Sequence, residues 1–330
     1  MSLVFDKHRL VSALALPPTT LRQTRAIARR YNAETVLRIG LVNNMPDSAL
    51  QATERQFKVL LKAAAGKRIV DLRYFSLSSV KRSLPGQSRI ERYYSRIADL
   101  SRFRLDGLIV TGAEPNAPFL WQEPYWGELA DLVDWANTNT RSTIWSCLAA
   151  HAAVLHLDGV ERRPLSKKCS GVFDCSKVAD DWMIQDLAFP LKVSHSRLNE
   201  LKRSDLAARG YCVLTESPEA GVDVFVKRLS SHFIFFQGHP EYDSMSLSRE
   251  YRRDVGRFLA GVRDSYPAIP SGYFDAETEH RLAVFQRRAH NHRKPTLMAE
   301  FPRIAVHENI MSGAPAKVMF TNWLRYLSEH

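Results

Sequence analysis

The chain has 330 residues, of which 45% are hydrophobic and 25% charged, and this composition is ordinary for a soluble globular protein with a full-sized core. No apolar stretch reaches the roughly 18 residues that a membrane-spanning helix needs, and the first residues lack an apolar signal segment, so we expect neither a membrane partner nor secretion. The net charge of +11 raises the question of nucleic-acid binding. We predict no such partner, because the arginines are scattered apart from one group that suits a solvated helix face, at Arg22, Arg25, Arg29 and Arg30.

Strand and helix patterns alternate through the first half of the chain, after a basic N-terminal extension at residues 1–35. The predicted strands are at 36–42, 69–75, 106–110 and 143–146. The predicted helices are at 48–64 and 125–138, and a further one begins at Leu148. This alternation predicts an α/β fold, with a mostly parallel sheet that carries helices on both faces.

The second half of the chain has short strand patterns at close spacing, at 211–214, 222–226 and 232–236. We interpret them as hairpins that extend the same sheet in antiparallel fashion. Helices are predicted at 246–260, 276–290 and 317–329. Residues 290–316 contain three prolines and are predicted to form a long ordered loop or a dimer arm, so that 36–330 make one decorated domain.

Four cysteines, at 147, 169, 175 and 212, match no zinc spacing and are too few for a disulfide framework. We therefore expect a reducing, cytoplasmic location and no bound metal or cofactor.

Cys147 stands where a buried strand runs into a helix of small residues, in the run WSCLAAHAA. Such a turn lies at the carboxyl edge of the sheet, where α/β proteins bind their ligands. The free N–H groups and positive dipole end of the helix favour a thiolate and a developing oxyanion. The alternative is a small cysteine that only packs in a tight turn.

His239 and Glu241 follow the apolar strand HFIFFQ, in the run GHPEY. Residues two apart in an extended segment point the same way, so the carboxylate is predicted to lie beside the imidazole and orient it. A capped turn with a surface histidine is the alternative. With Cys147, these residues supply a nucleophile, a base and the group that orients the base.

Several runs together carry a resemblance over about residues 36–327, namely LVNNMP, DGLIVTGA, WSCLAAHA, LSKKCSGVF, SHSR, GHPEYD, EYRRDV and MFTNWL. In this order they resemble the homoserine O-acyltransferase family, often called homoserine O-succinyltransferases, whose fold resembles that of class I glutamine amidotransferases. The resemblance implies a homodimer that moves an acyl group from acyl-CoA, as co-substrate, to the hydroxyl of homoserine. It makes Cys147 the acyl-carrying nucleophile, His239 the general base and Glu241 the orienting carboxylate.

The resemblance also implies a substrate site. Lys168, Ser196 and Arg253 fall where the family holds homoserine, and an arginine suits a carboxylate because its guanidinium forms a two-pronged contact. Asn116 falls where the family separates acetyl from succinyl donors. Its uncharged side chain would not repel a succinyl carboxylate, so succinyl is favoured over acetyl.

One departure concerns the turn after Asn43, where the family usually has a lysine and this chain has Asp47-Ser48-Ala49. In its place, the backbone N–H groups of Leu148 and Asn44 are predicted to hold the oxyanion. Three alternatives stay open: a serine-type O-acyltransferase, a glutamine amidotransferase-like amidohydrolase, and a non-catalytic binding protein. The amidohydrolase is disfavoured because Cys147 lacks the flanking glycines of that class.

Overall fold

The fold was analysed in a computed structural model, which describes residues 3–5, 10–12, 36–304 and 313–330. The arginine group at 22–30, most of the predicted N-terminal extension and part of the predicted loop at 290–316 lie outside the described residues. In the described ranges, no helix combines the length and the apolar composition that crossing a bilayer requires.

The strands are β1 (Leu3–Phe5), β2 (Leu10–Ser12), β3 (Val36–Val42), β4 (Ile69–Ser76), β5 (Ser95–Arg96), β6 (Gly107–Thr111), β7 (Ser142–Ser146), β8 (Arg163–Lys177), β9 (Leu191–Glu200), β10 (Cys212–Val213), β11 (Thr215–Ser217), β12 (Gly221–Val222), β13 (Val224–Arg228) and β14 (His232–Phe236). The α-helices are α1 (Asp47–Ala64), α2 (Leu84–Tyr93), α3 (Trp126–Asn139), α4 (Leu148–Asp158), α5 (Arg203–Ala207), α6 (Ser246–Leu259), α7 (Ala276–Asn291) and α8 (Ala314–Glu329). Short 3-10 helices lie at Ile97–Arg102, Leu120–Gln122, Trp182–Ile184 and Pro295–Glu300.

The main sheet has a parallel centre. Strands β14, β7, β6, β3 and β4 lie side by side in that order, all parallel, and β5 pairs with the end of β4. Antiparallel strands flank this centre, with β13 and β10 on one side and β1 and β2 on the other. The prediction of a mostly parallel α/β sheet with an antiparallel extension is confirmed.

Both faces of the sheet are covered, and a central strand such as β6 is accordingly buried and mostly apolar along its whole length. On one face Ile39 and Leu41 pack with helices α1 and α8 in one core cluster. On the other face Leu108 and Val110 pack with α3 and α4 in a second cluster. A third cluster joins α6, α7 and the 3-10 helix at Pro295–Glu300.

A second sheet was not predicted. Its order is β12-β11-β8-β9, and the long strands β8 and β9 form an antiparallel hairpin with a register shift between Pro164 and Cys169. Most residues of β8 are exposed or only partly buried. The β8 sequence therefore shows no regular alternation of apolar and polar residues, and it did not predict a strand. The single strand predicted at 222–226 is also wrong, because it divides at Asp223 between the two sheets.

Helix α2 was also missed. Only Gly86 is buried among its residues, so the segment lacks the apolar stripe that marks a helix in sequence. Its start is defined instead by Ser83, whose hydroxyl accepts from the Gly86 amide, and by a proline in the first turn. Whether residues 36–330 form a single domain stays a prediction.

Candidate functional site

Three parallel strands end at the same level and so create the site. Ser146 of β7 is paired with Thr111 of β6 on one side and with Phe236 of β14 on the other. The segments that follow these residues therefore leave the sheet together at its carboxyl edge, where α/β proteins bind ligands.

Cys147 occupies a strained turn between β7 and α4. Its φ and ψ are 53° and −113°, in a region that a residue with a side chain rarely adopts. The Cys147 amide donates to the Phe236 carbonyl at 2.7 Å, and the helix that follows is anchored by buried alanines such as Ala149 and Ala153. The surroundings thus hold the thiol in a half-buried position at the sheet edge.

His239 and Glu241 form a buried pair beside this thiol. The imidazole Nδ1 lies 2.9 Å from Glu241 Oε1, and the Tyr242 ring stacks on the imidazole with centroids 4.1 Å apart. Contrary to the predicted extended segment, the chain turns here, since the Tyr242 amide donates to the His239 carbonyl at 3.3 Å. The contact between the two side chains still forms.

The pKa of His239 lies well above its ordinary value. Burial lowers this pKa, but the charges of Glu241 and Cys147 raise it, as do hydrogen bonds from the imidazole to the same two side chains. The imidazolium form is therefore stabilised from both sides, by a carboxylate and by a sulfur.

A cavity of about 520 Å³ opens at this edge of the sheet. It is lined by Cys147, His239 and Glu241, and by the three residues predicted to bind substrate, Lys168, Ser196 and Arg253. The structure thus brings six sequence-predicted site residues to one cavity.

Two carboxylates that the sequence analysis missed organise the substrate-binding side. Lys168 Nζ lies 3.0 Å from Asp254 Oδ2 and 3.5 Å from Glu250 Oε2. The Ser196 hydroxyl donates a hydrogen bond to the Glu250 carboxylate, and Arg253 forms an ion pair with Asp254 at 3.0 Å. Glu250 and Asp254 therefore connect all three predicted residues.

Glu250 also accepts a hydrogen bond from Tyr242, the residue stacked on His239. Burial raises the pKa of Glu250, but Lys168 and the hydrogen bonds from Ser196 and Tyr242 lower it, and the net shift is downward. Glu250 is therefore held as a carboxylate. Glu250 lies three residues before Arg253 on α6, and this helical spacing could have identified it as a neighbour of Arg253 in the sequence analysis.

The predicted oxyanion donors differ in availability. Leu148 is the first residue of α4, where the backbone N–H has no partner within the helix. The Asn44 prediction is wrong, because its backbone N–H already donates to Thr111 Oγ1 at 2.9 Å. Gly112 lies beside Leu148 instead, so close that a Cβ on Gly112 would stand 3.1 Å from the Leu148 nitrogen.

The turn after Asn43, where the family lysine is missing, is held by Arg82. Its guanidinium donates to the Met45 carbonyl and, at 3.2 Å, to the Asn43 carbonyl, and it pairs with Asp47 at 3.3 Å. Met45 lines the cavity, so this ion pair fixes one part of the cavity wall.

Asn116 does not line the cavity. Its side chain is exposed and donates to the Glu114 carbonyl at 3.1 Å. Glu114 and Pro115 form this part of the wall, and Glu114 pairs with Arg257 at 2.8 Å. The structure therefore gives no contact through which the Asn116 side chain reaches an acyl group beside Cys147.

Within residues 36–304 and 313–330, no three histidine, cysteine, aspartate or glutamate side chains form a group that could hold a metal ion.

Comparison with known proteins gives consistent results. A family model described as "HTS: Homoserine O-succinyltransferase" matches residues 19–330. A protein named homoserine O-succinyltransferase from Rhodopseudomonas palustris is 53% identical over 326 residues, which cover 98% of each chain. One of the same name from Bradyrhizobium japonicum is 51% identical over 330 residues and covers 100% of both. Among solved structures, a glutamine amidotransferase from Thermotoga maritima matches 88% of this chain and 98% of its own, with a TM-score of 0.47 and 10% identity.

Proposed function

Because this chain belongs to the homoserine O-succinyltransferase family and is therefore an acyltransferase, we propose that it transfers the succinyl group of succinyl-CoA to the hydroxyl of homoserine. One observation carries the proposal: a single cavity joins the Cys147–His239–Glu241 cluster to the cluster of Lys168 and Arg253. The first cluster supplies acyl-transfer chemistry, and the second supplies charges for an amino acid.

In the first half-reaction, the Cys147 thiolate attacks the thioester carbonyl carbon of the donor. The resulting oxyanion is held by the Leu148 N–H at the start of α4, next to Gly112. The intermediate then breaks its bond to the coenzyme A sulfur, which leaves with the proton of the His239 imidazolium. The succinyl group remains on Cys147 as a thioester.

In the second half-reaction, the homoserine hydroxyl attacks this thioester. An acylated sulfur carries no charge, so one of the groups that raise the pKa of His239 is lost at this stage. The neutral imidazole can then accept the hydroxyl proton as the new carbon–oxygen bond forms. The Cys147 thiolate leaves, the imidazolium is restored, and O-succinylhomoserine is released. Neither a metal nor a bound cofactor takes part.

The charged side of the cavity suits the two ends of an amino acid. The Arg253 guanidinium is partly exposed and offers a two-pronged contact to the substrate carboxylate. Glu250, held ionised, offers a counter-charge to the substrate ammonium. Lys168 stabilises both Glu250 and Asp254 and so keeps this arrangement in place.

The proposal is tested with a matrix of donors against acceptors, in which succinyl-CoA and acetyl-CoA are each combined with homoserine and serine, and free coenzyme A thiol is measured. Fastest release with succinyl-CoA and homoserine is expected. No release of coenzyme A thiol from succinyl-CoA in the presence of homoserine would remove the proposal. Release of ammonia from glutamine, measured separately, would favour the amidohydrolase instead. A homodimer and a cytoplasmic location belong to the same proposal and are supported by the family resemblance and the four unpaired cysteines.

Replacing Arg253 by Gln is expected to raise KM for homoserine by about 10- to 100-fold, because a charge-assisted contact to the substrate carboxylate contributes about 1.5–3 kcal/mol. KM for succinyl-CoA should stay unchanged. Steady-state kinetics with each substrate varied in turn give both values. Arg252→Gln is the matched control, since Arg252 is exposed on the same helix and lies over the Phe301 ring. An unchanged KM for homoserine in Arg253→Gln would contradict the assignment.

Replacing Gly112 by Ala is expected to lower kcat about 10- to 100-fold, somewhat less than the 10²–10³ that loss of an entire oxyanion donor costs. The new Cβ would stand 2.6 Å from Leu148 Cβ, so the Leu148 backbone must shift. Gly127→Ala is the control, because a Cβ there meets no atom within 4 Å. Equal kcat for the two variants, measured at saturating substrates, would show that the Leu148 amide does not hold the oxyanion.

A further inference from the structure

The cavity beside Cys147 contains more positive charge than an amino-acid acceptor requires. Its cationic side chains are Arg162, Lys168, Arg197, Arg253, Arg257 and Arg263. Four carboxylates line the same cavity, at Glu114, Glu241, Glu250 and Asp254, so its cations outnumber its carboxylates by two.

Most of these cations already have partners in the protein. Three of them form ion pairs with the Asp254 carboxylate. The distances from a side-chain nitrogen to a carboxylate oxygen are 3.0 Å for Lys168, 3.0 Å for Arg253 and 3.8 Å for Arg263. Arg257 pairs with a glutamate of the cavity wall, at 2.8 Å.

Arg197 is buried and has no carboxylate partner in the ion pairs of the described chain, but its guanidinium donates to two backbone carbonyls. These belong to Asn199, at 2.9 Å, and to Ala220. The Arg197 guanidinium is therefore already hydrogen-bonded within the protein.

Arg162 is different. In the part of the chain that the structure describes, no hydrogen bond and no ion pair within 4.0 Å involves its guanidinium, although the side chain is half-buried. Glu123, a carboxylate that acts on it electrostatically, accepts with Oε1 from the Asn116 and Ala117 amides at 2.6 and 2.8 Å. A half-buried charge without a close counter-ion is costly, and a bound anion would remove that cost.

The position of Arg162 is set by the helix that begins at the nucleophile. Helix α4 starts at Leu148 and ends at Asp158, and the chain reverses at the next residue, Gly159, where φ is 67°. Arg162 follows this reversal and lines the same cavity as Cys147. Burial lowers the pKa of Arg162 and outweighs the charges of Tyr125, Glu123 and Cys147, which act in the opposite direction.

We propose that Arg162 binds the free carboxylate of the donor's succinyl group and so selects succinyl-CoA over donors with a neutral acyl chain. This inference rests on the proposed function. A succinyl group held on Cys147 extends a carboxylate two methylene groups beyond the thioester, and a guanidinium fork matches that carboxylate with two hydrogen bonds. The donor thus supplies the counter-ion that Arg162 lacks in the protein.

The test compares succinyl-CoA with butyryl-CoA, whose acyl chain has the same four carbons without the carboxylate. Arg162→Gln is expected to lower kcat/KM for succinyl-CoA about 10- to 100-fold and to leave that for butyryl-CoA within about twofold. KM for homoserine should not change. Arg163→Gln is the matched control, because Arg163 is exposed and pairs with Asp205 at 2.7 Å on the surface.

The outcomes separate the inference from the proposed function. If the unaltered protein does not use succinyl-CoA, the proposed function fails. If it uses succinyl-CoA but Arg162→Gln loses activity equally with both donors, or with neither, the inference is overturned. Should Arg162→Gln not fold, Arg162→Lys keeps the charge without the fork, and a drop in the succinyl-to-butyryl ratio of about threefold or more is expected. An unchanged ratio in that variant would also overturn the inference.

Discussion

Replacing Cys147 by Ala is expected to lower kcat by about four to six orders of magnitude, the largest effect of any single change in this protein. The reason is that the sulfur forms the covalent bond to the acyl group, and a methyl group in its place cannot form that bond. The measurement is release of free coenzyme A thiol from succinyl-CoA with homoserine present.

The control for this variant is Cys212→Ala, because Cys212 is an exposed, unpaired cysteine outside the cavity. It should retain full activity. Mass spectrometry of the unaltered protein, after brief exposure to succinyl-CoA without acceptor, should find one succinyl group on the peptide that contains Cys147. Substantial turnover by Cys147→Ala, or an acyl group on another cysteine, would exclude the covalent mechanism proposed here.

Replacing His239 by Gln is expected to lower kcat by about three to five orders of magnitude, since the imidazole carries a proton in both half-reactions. Glutamine preserves a polar side chain but cannot accept and return a proton near neutral pH. The acylation and deacylation rates, separated by rapid mixing with succinyl-CoA alone and then with homoserine, should both fall.

His156→Gln is the matched control. His156 lies on α4, the helix that begins beside Cys147, but its ring pairs with Asp134 at 2.9 Å and does not line the cavity. Activity close to that of the unaltered protein is expected. If His239→Gln still acylates Cys147 at the normal rate, then His239 does not serve the thiol and its proposed role reduces to the second half-reaction.

Local sequence patterns were sufficient to predict the parallel core, and the motifs were sufficient to identify the family. Strands such as β3 and β6 are short, largely buried runs that are mostly apolar, and local apolar content is enough to identify them. The position of Cys147 followed from the alternation of strands and helices, because a short buried strand ends just before this residue and a helix of small residues begins just after it. His239 and Glu241 followed because they come directly after another buried run.

The contacts on the substrate-binding side of the cavity, in contrast, became known only from the folded chain. The hairpin of β8 and β9 carries Lys168 and Ser196, yet its buried, intermediate and exposed residues follow no regular alternation along the two strands. Glu250 joins these residues across 82 and 54 positions of sequence, and no local pattern encodes such a contact.

The same reason explains the two predictions that changed. The Asn44 amide is occupied by a hydroxyl 67 residues away, and Asn116 lies in an exposed loop rather than at the cavity wall. Arg162 could be singled out only from the folded structure, because whether it has a counter-ion among residues 36–304 and 313–330 depends on where their carboxylates lie. Helices and strands are determined largely by residues close together in the sequence. Contacts between side chains in a cavity depend on the packing of distant segments, which local patterns do not specify.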